Sequence, residues 1–186
     1  MVDNGLGKAV GYIDAVPDSK EYLRRVKAEY LPYFKNEILP ELERRFPGAW
    51  TLPAGMSEAD IKTVDECEGV EAKTYALLKR FWNPDDSILH SSWPQLVEEY
   101  PCHIHIDILP EYQGKGLGRL LMQKLVEKLR AEGVEGIHLM KAGDTEGSER
   151  FYEKVGFARW QVDMGGSEAG EPGVKPGGGV CMVMKV

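Results

Sequence analysis

The sequence predicts an α/β (α+β) domain whose sheet has a central parallel βαβ pair and an antiparallel hairpin at its C-terminal end. Three observations predict it. Residues 103–109 alternate polar with isoleucine-rich apolar positions, the two-residue period of a strand. Residues 113–118, Gln-Gly-Lys-Gly-Leu-Gly, follow as a turn that opens an amphipathic run. Residues 136–140 are a second apolar strand, so strand, helix and strand succeed one another and the two strands run parallel.

In chain order, residues 1–7 are polar and glycine-rich, and 8–16 read as a short strand closed by Pro17. Asp18 or Ser19 is placed to cap the next helix. Residues 20–46 are helical: Tyr22, Leu23, Val26, Tyr30, Phe34, Ile38, Leu42 and Phe46 recur at three- and four-residue steps. Pro32 and Pro40 are expected to kink or divide this helix. Its aromatic stripe reads as core or a partner face. Pro47-Gly48 is a break. Further helices are expected over 57–68 and 70–82, with a short helical turn starting at 85–87. Pro94 and Pro101 punctuate the approach to the central strand, and Pro110 ends it, having no N–H for a ladder.

Leu117, Leu121, Leu125 and Leu129 then sit at four-residue spacing on one helix, which Gly133 stops. A turn at 142–145, a short helix at 146–155 and a strand at 157–164 follow. Residues 165–179 are rich in Gly and Pro and are expected to be a mobile loop. Residues 180–186 form the last apolar strand, antiparallel to 157–164.

The 186 residues suit one domain, with a mostly helical front over 18–100 and a core over 100–186. The net charge of −7 argues against nucleic acid, which wants a basic face. There is no apolar run long enough for a membrane span, and no signal peptide. Cys67, Cys102 and Cys181 are scattered and odd in number, which fits neither a disulfide framework nor a zinc site. A reduced compartment is expected: cytoplasmic, with nuclear also compatible.

The glycine turn carries the chemistry. The first turn of a helix leaves N–H groups without backbone partners, and glycines let a bulky anion approach them. The helix dipole, Lys115 and Arg119 favour negative charge there. The turn is therefore suited to a phosphate or pyrophosphate. It is not Gly-x-x-x-x-Gly-Lys-Ser/Thr. Nor is it Gly-x-Gly-x-x-Gly, since Arg119 or Leu121 would have to be the third glycine. The bland alternative is a glycine-rich connection that binds nothing.

The string is Gln-x-x-Gly-x-Gly, at Gln113, Gly116 and Gly118. A second block, Phe151-Tyr152-Glu153-Lys154-Val155-Gly156-Phe157, follows one strand and one helix later. Together these resemble the GNAT superfamily of acyl-CoA-dependent N-acetyltransferases over residues 100–186. Residues 100–107 (Tyr-Pro-Cys-His-Ile-His-Ile-Asp), with 10–13 and Pro17-Asp18, are similar to a subgroup containing the acetyltransferase-like domain of O-GlcNAc hydrolase. The resemblance implies a GNAT fold: a mixed, mostly antiparallel twisted sheet flanked by helices, with a helical insertion before the central strand.

It also implies site residues. Backbone at Ile108 and Leu109 would pair with the pantetheine arm of acetyl-CoA. Gln113 marks the turn, and amides of Gly114, Lys115, Gly116, Leu117, Gly118 and Arg119 would hold the pyrophosphate. Ser148 and Phe151 would line the CoA groove. Thr145 stands where the family often has Asn. Tyr152 would protonate the leaving thiolate; its alternative is core packing. The implied activity is acetyl transfer from acetyl-CoA to a primary amine, a small molecule or a protein lysine, without metal.

The base is open. His103, His105 and Asp107 share one strand face, and His105 or Asp107 could act through water. Histone-type relatives carry their glutamate at the position Cys102 fills here, on the opposite face. The same trio could bind Zn²⁺ or Fe²⁺, but that would leave the glycine turn unexplained. Only one convincing strand precedes the central one, fewer than the family has. A partner chain, such as a second copy, would then cover the edge left behind. A catalytically silent CoA-binding or interaction domain is the alternative to an enzyme.

Overall fold

Isoleucine-rich alternation puts residues 102–108 at the centre of a mixed sheet. The computed structural model describes residues 1–47, 84–90, 93–141, 147–160, 174–175 and 179–186. Two units result: residues 1–19 with 92–186, and residues 20–91. The helices expected over 57–68 and 70–82, the turn at 142–145 and most of the 165–179 loop lie outside the described residues.

The first unit contains β1 (Val2–Asp3), β2 (Ala9–Val16), β3 (Cys102–Ile108), β4 (Gly136–Lys141), β5 (Ala158–Arg159), β6 (Val174–Lys175) and β7 (Gly179–Lys185). The order is β1-β2-β3-β4-β7-β5, with β6 also on β7. Only β3 and β4 pair in parallel; the other described pairs are antiparallel. The expected βαβ unit and closing hairpin are both present. β1 and β6 lie in stretches whose polarity and glycine content gave no strand signal.

β7 alternates cleanly. Met182 and Met184 join Cys102, Ile137 and Leu139 in a core with Met122, Leu125 and Leu129 of the helix Leu117–Ala131. Cys181 and Val183 face the other way, against Trp93, Leu96 and Trp160. Leu96 comes from the helix Pro94–Glu99, which the sequence expectation passed over because prolines bracket it. Pro94 stands in its first turn, where its missing N–H costs nothing.

A helical run from Ser19 to Arg45, all but its first residue in the second unit, is begun by α1 (Ser19–Arg25). Pro32 and Pro40 do not divide it. Each is preceded by a widened π turn, Val26–Tyr30 and Phe34–Ile38, joined by α2 (Leu31–Tyr33) and α3 (Leu39–Arg45). Leu31 N–H donates to Val26 O, and Leu39 N–H to Phe34 O, five residues back. The extra residue per turn takes up the missing donor and the ring clash that proline brings. α4 (Pro84–Leu89) covers the expected turn at 85–87. With α5 (Pro94–Glu99), a 3-10 turn at Pro110–Tyr112, α6 (Leu117–Ala131) and α7 (Ser148–Lys154), these are the helical elements of the described residues. None is long and apolar enough to cross a membrane.

Ser19 is not a side-chain cap. Its Oγ donates to Pro101 O at 2.7 Å and lies 2.8 Å from His103 Nδ1. With its one proton committed, Ser19 accepts from the ring, so His103 carries its proton on Nδ1.

Candidate active site

β3 and β4 are zipped at one end only. Cys102 pairs with Ile137 and His103 with His138; beyond them β3 continues along β2, and β4 along β7. Leu109 N–H donates to Val10 O at 3.0 Å, on the β2 side. By strand alternation, Ile104, Ile106 and Ile108 turn their N–H and C=O groups toward the opening. Gln113 Nε2 donates to Ile108 O at 2.9 Å and ties the turn to the strand end.

A groove of ≈ 790 Å³ runs from this opening across the start of α6 to α7. Asp107, Ile108 and Gln113 line one side. Gly114, Gly116, Gly118 and Arg119 form the turn. Ser148, Phe151 and Tyr152 come from α7. The sequence expectation had singled out all ten.

Gly116 is the residue before α6, at φ 83, the left-handed region that side chains disfavour. Nothing lies within 4 Å of where its Cβ would stand, so that space is open to a ligand. The first turn of α6 has no acidic residue, and its amides have no side-chain cap. The groove also takes Arg150 and Lys154, four residues apart on α7. Sequence reasoning missed both, although their four-residue spacing, with Arg150 just before the second block and Lys154 inside it, was a usable signal.

Other expected residues stand elsewhere. Leu109 spends its amide on β2, so that N–H is not offered to the groove; burying both Ile108 and Leu109 amides in one ligand ladder would break the alternation. Lys115 Nζ lies 4.9 Å from the Tyr112 ring centroid, in a cation–π contact outside the lining. Leu117 contributes the first amide of α6 and is not a lining residue. Thr145 lies outside the described residues.

Tyr152 is partly buried and edge-packed on Phe151 and Phe157, with ring centroids 5.2 and 5.6 Å away. Burial first, and the Asp107 charge second, push its phenol above the usual tyrosine value. It therefore stays protonated at neutral pH.

Asp107 accepts from Tyr12 Oη at 2.9 Å and from His105 Nε2 at 2.9 Å, both on Oδ2. These bonds, Tyr12 first, hold its carboxyl below the usual aspartate value. An ionised carboxylate only accepts, so His105 donates from Nε2; in the neutral ring the lone pair then lies on Nδ1. His105 is exposed and is not a lining residue.

His103 is structural. Burial, then His138, lowers it to about 4, and its Nδ1 is committed to Ser19. This separates His103 from His105 and Asp107, and among the described residues no three His, Cys, Asp or Glu side chains are grouped to hold a metal. Cys102, at the histone-type glutamate position, is buried, and its thiol is pushed up to about 12. It is no base.

Residues 75–157 match the acetyltransferase (GNAT) family. Over 59 residues the chain is 42% identical to a mycothiol acetyltransferase of Nocardiopsis dassonvillei, covering 32% of this chain and 18% of that protein. Over 63 residues it is 42% identical to the [ribosomal protein bS18]-alanine N-acetyltransferase of Haemophilus influenzae, covering 34% and 42%. The chain thus spans less than half the length of these relatives. The solved structure titled "Crystal structure of SsHAT" superposes with a TM-score of 0.60 at 24% identity, over 98% of this chain and 69% of that one, a likeness of fold. Zipped strands, glycine turn and aromatic block all fall within the segment that matches the acetyltransferase (GNAT) family.

Proposed function

We propose that the groove binds acetyl-CoA and that the chain transfers its acetyl group to a primary amine. The observation that carries this is the meeting, in one groove, of the capless α6 start, three cationic side chains, Tyr152 and Asp107. Arg119, Arg150 and Lys154 suit the phosphates. Backbone of β3 facing the opening suits an extended amide-bearing arm. An ionised Asp107 suits an ammonium.

Acetyl-CoA supplies an activated thioester; the amine forms a C–N bond to its carbonyl carbon as the C–S bond breaks. Asp107 holds the incoming ammonium. His105, oriented by Asp107, takes the amine proton through water at Nδ1. Tyr152 gives its proton to the departing thiolate, and the second proton leaving the nitrogen as the amide forms restores the phenol through water. Holding both reactants contributes most, up to about 7–11 kcal/mol in favourable cases. Thr145 would add a CoA contact. The buried free thiols Cys102 and Cys181 suit a reduced, intracellular setting.

Calorimetric titration with acetyl-CoA and with CoA, then thiol release with an amine panel, tests the reading. One-to-one binding and amine-dependent release are expected. Binding without release for any amine would favour a silent CoA-binding domain. No binding would overturn the reading.

A further inference from the structure

β2 brings a residue to the groove's Asp107 that nothing in the two sequence blocks points to. Register places Tyr12 opposite Asp107 and Asp14 opposite His105, all four exposed on one face. Gly11 permits the approach: a Cβ there would stand 2.9 Å from Ile108 Cγ1 and 3.0 Å from Asp107 O. Tyr12 is 38% exposed and outside the apolar core, so its contribution to packing is small. Its ring sits 5.9 Å from that of His105, and its hydroxyl donates to Asp107.

Asp107 uses its two oxygens unequally. Tyr12 and His105 both bond to Oδ2, and Oδ1 has no hydrogen bond among the described residues. Asp107 lines the groove, whereas Tyr12 and His105 are not among its lining residues. One oxygen is thus fixed from outside and the other is left for an occupant.

We propose that Tyr12 is a positioning residue of the acceptor side: its hydroxyl holds Asp107 by Oδ2 so that Oδ1 meets the ammonium of the incoming amine. This rests on reading the groove as an acetyl-transfer site. The groups facing Asp107 are Tyr12 from β2, His105 from β3 and Tyr152 from α7, with Asp14 opposite His105 and Arg119, Arg150 and Lys154 along the same groove. Of these, Tyr12 and His105 are bonded to it, and Tyr12 contributes most to keeping it charged. That charge in turn helps keep Tyr152 protonated.

The test is Tyr12→Phe in the full chain, alone and with Asp107→Asn. Carbon-13 titration of the Asp107 carboxyl should move upward in Tyr12→Phe, while acetyl-CoA affinity by calorimetry stays the same. With a primary alkylamine acceptor, KM should rise about tenfold with a much smaller change in kcat, the loss of one bond to a charged group. In the Asp107→Asn background, Tyr12→Phe should add nothing, because both act at one carboxylate. An unmoved titration, an unchanged KM, or full additivity in the double variant overturns the role of Tyr12. A wild-type chain that binds no acetyl-CoA overturns the transfer reading itself, a separate failure.

Discussion

Gly118 lies so close to Phe151 that a Cβ on it would stand 2.8 Å from Cε2 and 2.9 Å from Cζ of the ring. The contact joins the glycine turn to the aromatic block, and it sets how near α7 stands to the start of α6. Gly118→Ala must push the ring or the helix aside. Overpacking of this kind costs about 1–3 kcal/mol. Acetyl-CoA affinity should fall with it, because the groove wall moves. Phe151→Leu in the same chain should restore part of the stability. Urea unfolding and calorimetry on both variants check this; an unaffected Gly118→Ala would mean the two motifs are not in register.

Gly116 makes a different demand. Its constraint is the left-handed backbone, since the space around its missing Cβ is open. Gly116→Ala should cost about 1 kcal/mol of stability through backbone strain. Gly116→Glu should cost similar stability and also abolish acetyl-CoA binding, because a carboxylate would fill the anion's place. Equal affinities for the two variants would remove the phosphate role from this turn.

Local patterns made the core of this fold legible. Alternation around His105, four-residue leucine spacing from Leu117 and the Gln113-to-Gly118 turn all survive in the structure, because each is decided within a few residues. What depends on register was hidden. Tyr12 meets Asp107 across 95 positions of sequence, and no periodicity on either strand shows which residues will face each other. His103 and His105 looked equivalent by parity. Ser19 and His138 make one structural, and Asp107 leaves the other exposed. Pro32 and Pro40 misled in the other direction, since a π turn repairs a helix that simple donor arithmetic breaks.

Tyr152 offers a separation of catalysis from stability. Its hydroxyl makes no hydrogen bond among the described residues, while its ring packs on Phe151 and Phe157. Tyr152→Phe keeps those ring contacts. It should leave stability and acetyl-CoA affinity nearly unchanged and cut turnover by about a hundredfold or more, the scale of general-acid catalysis. Its raised pKa places deprotonation above the usual value of 10. Wild-type turnover should therefore not lose its acid between pH 7 and 9. Undiminished turnover in Tyr152→Phe would take the acid role away from it.

His103 makes stability depend on pH. Its value falls from 6.5 to about 4 on folding, through burial and the neighbouring His138. Between those limits the unfolded chain binds a proton that the folded chain refuses, so stability rises with pH. The contribution is complete above 6.5 and is lost as pH falls toward 4. At about 1.4 kcal/mol per unit it is worth up to about 3 kcal/mol. His138, also lowered by burial, acts in the same direction. His103→Gln keeps an amide donor for Ser19 and has no titration of its own. Urea unfolding at pH 7, 5.5 and 4.5 should show wild-type stability falling more steeply than that of His103→Gln. Parallel curves would mean that His103 is solvated and charged in the folded chain, and that the Ser19 contact does not hold it neutral.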